Sequence, residues 1–267
     1  MTEPDHDHYD VRGTGPVLLI IPGGAGHPMG LDRMTDALVD TFTVVTYDPL
    51  GLAHGRLGLP VPRQRVSDWS DGARRVLDAV LPEGESAYVF GTSAGGVAAL
   101  DLLARHPERL RHVIAHEPPC VGPLPDAARH RAMFQEVHDV FRTAGLEAAA
   151  ALLTAGLEER EADTTPLVPQ PLTPEEELES PMALFLTRVL LPFTSYTPDF
   201  TALTTRLTLA AGTDTHGQLL HRTAAFIAKN AQADLLEFPG GHLGALEHPK
   251  EFADQLARTL RESAAAN

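Results

Sequence analysis

The chain has 267 residues, 43% of them hydrophobic, which is enough for a sizeable core and fits one domain carrying an insertion. It has 21 Lys and Arg against 36 Asp and Glu, a net charge of −15 that argues against nucleic acid and against docking on an anionic membrane. The single cysteine, Cys120, rules out an intramolecular disulfide and argues against a cysteine-based zinc site. The first thirty residues lack the basic and apolar regions of a signal peptide, and no run reaches the roughly 18 apolar residues of a membrane span, so the expected location is the cytoplasm.

Residues 1–8, MTEPDHDH, read as a disordered polar tail in which His6 and His8 are at most weak metal ligands. Val17 to Ile21 is a continuous apolar run, as in a strand buried on both faces of a parallel sheet. It ends in the glycine-rich loop Pro22-Gly23-Gly24-Ala25-Gly26-His27-Pro28, which has neither G-K-[ST] nor G-x-G-x-x-G spacing and so is no phosphate loop. Leu31 to Asp40 carries an apolar stripe of helical period, and Phe42 to Tyr47 is the next strand. The segment from Asp48 to Gly55 reads as a turn, with Asp48 a turn former. Asp68 to Leu81 is an amphipathic helix with Trp69, Ala73, Val76, Leu77 and Val80 inward.

Ser86 to Phe90 reads as a strand and Gly95 to Arg105 as a helix, and between them lies Gly91-Thr92-Ser93-Ala94-Gly95, a G-x-S-x-G pattern. A tight strand-to-helix turn lifts the serine hydroxyl above a sheet, and a Cβ at either glycine would crowd the neighbouring elements. Val113 to Ala115 is a short buried strand with Glu117 just beyond its end, where ligands bind in open parallel sheets. Pro125 to Thr143 and Leu146 to Glu158 read as helices, 158–181 as an acidic, proline-rich loop, and Pro174 to Leu191 as a helix with acids at its start. The alternation resumes with a strand at Leu207 to Ala211, a helix from Leu219 to Asn230, a strand at Asp234 to Phe238, the loop Pro239-Gly240-Gly241-His242-Leu243-Gly244, and a closing helix from His248 to Arg261.

Four landmarks in this order (IPGGAG after the first buried strand, YDPLG after the second, VFGTSAGG, and FPGGHLG near the end) resemble the α/β-hydrolase superfamily over nearly the whole chain. The resemblance implies a mostly parallel α/β sheet flanked by helices, with a core formed by residues 9–120 and 201–267 and a helical cap at 121–200. It implies a nucleophile–acid–histidine order in which Ser93 is the nucleophile and His242 the base, with the N–H groups of Gly24 and Ala94 as oxyanion donors. The acid is Glu117 or Asp214. Glu117 is favoured, because it follows a strand end, is backed by Pro118-Pro119, and lies in an H-E-x-P segment resembling that of fungal zearalenone lactonases. Asp214 lies where most family members place the acid, although only two residues past Gly212.

The implied chemistry is hydrolysis of a carboxylic ester or lactone through an acyl-enzyme, with no cofactor and no metal. The same triad also serves carbon–carbon bond hydrolysis and cofactor-free perhydrolysis or halogenation, and a non-catalytic ligand-binding member of the fold is an alternative of another class. Met133, Phe134, Val137, Phe185 and Phe193, with Leu186 and Tyr196, are the candidate cap residues around a hydrophobic small-molecule substrate, and His27 is a further candidate contact. No nucleic-acid or membrane partner is expected, and a homodimer is left open.

Overall fold

The apolar runs form strands because they are covered on both sides, and the covering elements are the amphipathic helices between them. The computed structural model describes residues 7–26, 30–161, 169–203 and 206–265. In chain order the elements are β1 (His8–Arg12), β2 (Val17–Ile21), α1 (Asp32–Asp36), β3 (Thr43–Asp48), α2 (Leu50–Arg56), α3 (Val66–Val80), β4 (Ala87–Thr92), α4 (Ala94–Arg105) and β5 (Leu110–His116). There follow α5 (Ala127–Ala144), α6 (Leu146–Leu157), α7 (Pro174–Glu179), α8 (Pro181–Leu184), a π-helical turn (Phe185–Val189) and α9 (Leu190–Thr194). The chain closes with β6 (Leu207–Gly212), a 3₁₀ turn (Thr213–Thr215), α10 (Leu219–Ala231), β7 (Asp234–Phe238), α11 (Gly244–Glu247) and α12 (Pro249–Ala265). No helix among the described residues is long and apolar enough to cross a membrane.

The strands form one seven-stranded sheet in the order β1-β3-β2-β4-β5-β6-β7. β1 pairs antiparallel with β3 and every other pairing is parallel. Side chains of a strand alternate between faces, and the two faces build two cores. Leu19, Ile21, Val45, Val89, Val113 and Leu209 pack under α3, α4 and α10, with Trp69, Leu77, Val97 and Ile227. Leu18, Ile20, Val44, Phe90, Ile114 and Ala210 pack under α1 and α12, with Met34, Phe252 and Leu256. Burial on both faces explains why β2 is an uninterrupted apolar run rather than an alternating one. A third cluster, including Phe134, Val137, Phe141, Leu186 and Leu190, belongs to the helices between β5 and β6.

Several expectations need correction. Residues 1–6 of the expected tail lie outside the described residues, but His8 opens β1 and Asp7 takes two hydrogen bonds from Arg75, at 2.6 and 2.8 Å. The helix expected over 31–40 stops at Asp36, where the next N–H groups, of Ala37 and Leu38, bond to the carbonyls three residues back (Met34 and Thr35, 3.2 and 2.9 Å) and tighten the chain into a turn. The expected turn at 48–55 contains α2, which starts directly after Pro49, whose carbonyl accepts the first helical hydrogen bond from Ala53 N–H at 3.1 Å. The single helix expected over 174–191 breaks at Ser180-Pro181, since Pro181 has no N–H to continue the ladder. Ser180 instead caps the next segment by accepting from Ala183 N–H at 3.2 Å. Thr173 and Glu176 form a reciprocal capping box at the start of α7.

Candidate active site

β4 and β5 end flush: Thr92 lies opposite His116 in the parallel ladder. The next residue on each strand, Ser93 and Glu117, therefore leaves the sheet beside the other. Both have positive φ, 54° for Ser93 and 44° for Glu117. For L-residues such a conformation costs of order 1–3 kcal/mol, and it persists only where the surroundings over-determine it. At Ser93 the surroundings are visible. Its N–H donates to the His116 carbonyl (2.9 Å) and its own carbonyl accepts from Val97 N–H (3.2 Å), so the turn is bonded to β5 behind and α4 ahead. A Cβ on Gly91 would lie 2.3 Å from the Gly95 carbonyl oxygen, and one on Gly95 would lie 2.1 Å from that of Ile21. The two glycines thus let β2, β4 and α4 converge on the serine.

Glu117 is fully buried. Its Oε1 accepts from Gly212 N–H at 2.9 Å and from the Thr215 hydroxyl, and its Oε2 lies 2.8 Å from His242 Nδ1. Burial by itself pushes the carboxyl up. The hydrogen bond from His242, the charge of neighbouring imidazoles and the Thr215 hydroxyl outweigh it and hold the group at about 2. The ionised carboxylate keeps the proton on Nδ1 of His242, which leaves Nε2 with the lone pair. Asp214 stands apart from this pair: it is exposed, its carboxylate faces the Thr213 hydroxyl at 3.3 Å, and its N–H donates to the Gly240 carbonyl at 3.1 Å.

Behind His242 lies His116, fully buried, with its ring nearly parallel to that of His242 (15°, centroids 6.3 Å apart) and edge-on to Phe252 at 5.2 Å. Its Nδ1 is 3.1 Å from the Thr92 hydroxyl, and its Nε2 has no hydrogen-bond partner among the described residues. Burial holds it down at about 4, against a weaker upward pull from Glu117, so it is neutral at physiological pH.

Ser93 and His242 line one cavity of about 180 Å³. Gly23 and Gly24 bring the loop after β2 into its wall, and a Cβ on Gly23 would lie 3.6 Å from Ser93 Cβ. Ala94 is buried and opens α4, whose first N–H groups have no partner within the helix. Among the described residues the lining is apolar or glycine apart from Thr92, Ser93, Thr194 and His242, and it includes no carboxylate, lysine or arginine.

Of the candidate cap residues, Phe134 and Phe185 line this cavity. Met133, Val137 and Phe193 do not. Val137 and Met133 pack within the cluster of the inserted helices, and Phe193 is in the main core with its ring 4.7 Å from Trp69. Leu186 is likewise buried in the inserted cluster, and Tyr196 donates to Asp101 on α4 at 3.0 Å. His27 lies outside the described residues. Sequence reasoning missed Leu153 and Leu157 of α6, a one-turn apolar pair on an alanine-rich helix, and Leu220, Leu243 and Leu246 after β6 and β7. It also missed Thr215, for which a polar turn gave no distinguishing signal.

A family model described as the alpha/beta hydrolase family matches residues 17–255. The chain belongs to this family. It is 33% identical over 262 residues to the uncharacterized hydrolase YraK of Bacillus subtilis, covering 96% of this chain and 92% of that protein. It is 29% identical over 118 residues to the zearalenone hydrolase of Bionectria ochroleuca, covering 42% of this chain and 43% of that one. Among solved structures, one from a study of carboxylesterases of the thaumarchaeon Nitrososphaera gargenis aligns over 100% of this chain and 99% of its own with a TM-score of 0.69 at 18% identity, a likeness of fold. As an alpha/beta hydrolase, the chain is an enzyme of hydrolytic type.

Proposed function

We propose that this alpha/beta hydrolase cleaves small, uncharged, apolar carboxylic esters or lactones through an acyl-enzyme on Ser93. The observation that carries the reading is the apolar cavity shared by Ser93 and His242, with His242 bonded to a buried, ionised Glu117.

In this mechanism Nε2 of His242 takes the hydroxyl proton as Ser93 Oγ attacks the acyl carbon. The carbonyl π pair moves onto oxygen, where the N–H groups of Gly24 and Ala94 receive the negative charge. Prearranged donors of this kind commonly contribute more to acyl-transfer catalysis than any other single effect. Glu117 stays ionised, holds the tautomer and stabilises the imidazolium. The imidazolium then protonates the departing alkoxide. Water, deprotonated by the same nitrogen, attacks the acyl-enzyme and releases the acid and free Ser93. A charged acyl group would be stripped of water against a lining that offers no countercharge among the described residues, so that lining favours neutral substrates.

Labelling with a fluorophosphonate probe tests the nucleophile. Wild type should take up one equivalent and Ser93→Ala none, with folding checked by circular dichroism. Unlabelled wild type would favour a ligand-binding role, and labelling that survives in Ser93→Ala would move the nucleophile elsewhere. A panel of aryl, short-chain alkyl and lactone substrates, with charged and neutral acyl groups of equal size, tests the substrate class.

A further inference from the structure

Two groups of side chains among the described residues bring three metal-competent ligand atoms within 4.8 Å of one another, and they differ in what already sits among them. Asp126, His130 and Glu159 surround the Arg222 guanidinium, which donates to Glu159 at 2.6 and 2.8 Å and to Asp126 at 2.9 Å. That positive group fills the place a cation would take. No cationic side chain among the described residues is bonded in this way to His216, His221 and Glu237. His216 Nε2 is 2.6 Å from Glu237 Oε1, and the two imidazole rings are 4.6 Å apart at 37°.

We propose that His216, His221 and Glu237 form a binding site for one divalent transition-metal ion of the zinc type. Two imidazoles and one carboxylate are a ligand set that zinc, nickel and copper accept, whereas calcium and magnesium prefer oxygen alone. Tetrahedral bonds of roughly 2.0–2.1 Å separate donor atoms by about 3.3 Å. The three atoms therefore need only rotations about side-chain bonds, with His216 and Glu237 parting slightly. A metal ion needs the lone pair of each coordinating imidazole nitrogen, so any proton there is released as the ion enters, and one or more coordination positions remain for water.

The ligands come from separate elements. His216 follows the 3₁₀ turn after β6, His221 lies in the first turn of α10, and Glu237 lies in β7. An ion there ties the turn carrying Thr215, whose hydroxyl holds Glu117, to the strand that leads into the loop carrying His242. The site lies outside the cavity and its ligands take no part in the proposed chemistry, so its effect is to brace these two loops.

Isothermal titration of chelator-treated, full-length protein with ZnCl₂ tests the site. His6 and His8 are further potential ligands near the N-terminus, so the measurement is made on wild type and on the His6→Ala/His8→Ala variant. One equivalent should bind in both, with a matching rise in melting temperature. His216→Ala and His221→Ala should each weaken binding by more than the roughly 10- to 100-fold that loss of a residue behind a metal ligand costs. Both variants should keep the wild-type melting temperature in chelator, which separates a lost ligand from a lost fold. Stoichiometric binding that vanishes with the His6→Ala/His8→Ala substitution would overturn the proposal, as would binding unchanged in His216→Ala and His221→Ala.

Discussion

Glu117→Gln isolates the role of one charge, because the variant side chain has the same shape as the original. Glutamine keeps a carbonyl oxygen for Gly212 N–H (2.9 Å in wild type) and the Thr215 hydroxyl, but presents an NH₂ group where Oε2 meets His242 Nδ1 at 2.8 Å. Two donors then face one another. The imidazole relieves this by moving its proton to Nε2, so that Nδ1 accepts from the amide. The base now carries a proton on the nitrogen that should remove one from Ser93, and the imidazolium has lost its countercharge. In a serine protease the equivalent change of acid to amide costs about 10⁴ in kcat. A loss of about 10³ to 10⁴ is expected here, or roughly 4 to 5.5 kcal/mol of transition-state stabilisation. It should fall on kcat, with KM little changed, because Glu117 lies outside the cavity lining. Steady-state hydrolysis of a chromogenic short-chain ester measures it, with Asp214→Asn as the control. Asp214 is exposed and bonds to Thr213, so its variant should stay within severalfold of wild type. A Glu117→Gln enzyme within about tenfold of wild type would refute the reasoning. A collapse confined to Asp214→Asn would hand the acid's role to that residue.

Three further outcomes rest on the same geometry. Gly24→Ala should lose most activity, since its Cβ would lie 2.1 Å from Phe185 Cδ2, and Gly24→Ala/Phe185→Ala should recover part of it because the obstruction is a side chain; kcat/KM of the single and double variants compares them. Gly95→Ala should fail to reach the native fold or lose several kcal/mol in a urea titration, because its Cβ would lie 2.1 Å from a backbone carbonyl of β2 that cannot withdraw. His116→Leu should flatten the acid dependence of stability. Burial holds the wild-type imidazole at about 4 against 6.5 when unfolded, so the unfolded chain binds more protons between those values. Stability is therefore complete for this group above 6.5 and falls by up to about 3 kcal/mol as pH drops to 4, and urea midpoints across that window should show a smaller fall in the variant.

How much of this is legible in the sequence depends on whether a residue's constraint is local or distant. Gly91 and Gly95 are readable at once, because the close approach they permit lies between elements contiguous with the serine or fixed by the sheet. The buried strands are readable because coverage on both faces removes polar positions from them. The choice between Glu117 and Asp214 is harder. Both lie past the C-terminal ends of adjacent parallel strands, β5 and β6, and what sets Glu117 apart is its pair of donors from Gly212 and Thr215, 95 and 98 residues further along the chain. The helices between β5 and β6 are least legible. A helical apolar stripe says that a face is buried without saying against what, so Phe134 and Phe193 look alike in sequence. One faces the cavity while the other packs on Trp69. The segment after β7 reads as the glycine-flanked loop that carries His242, and that reading gives no sign that Leu243 and Leu246 form part of the wall.

The broken helix after Ser180 connects that illegible region to the chemistry. Pro181 stops α7, and the segment that restarts there passes into a π turn at Phe185–Val189 before returning to α-helix at Leu190. A π turn inserts extra rotation along a helix and so re-aims the side chains on it, which is one reason such turns recur at functional sites. Here its first residue is Phe185, whose ring lies over Gly24, so close that only a residue without a side chain fits beneath it. The loop proposed to hold the oxyanion and the inserted helices thus meet at one ring against one backbone. Gly24 has one steric reason to be glycine, the room it leaves for Phe185, and in the proposed mechanism a second, the approach of its N–H to the substrate oxygen. An alanine there keeps its N–H, but its Cβ collides with Phe185 and can shift the loop that carries that N–H. Phe185 also lines the cavity, so the double variant is read against Phe185→Ala alone, and the activity it loses relative to that single variant reports on the Gly24 backbone.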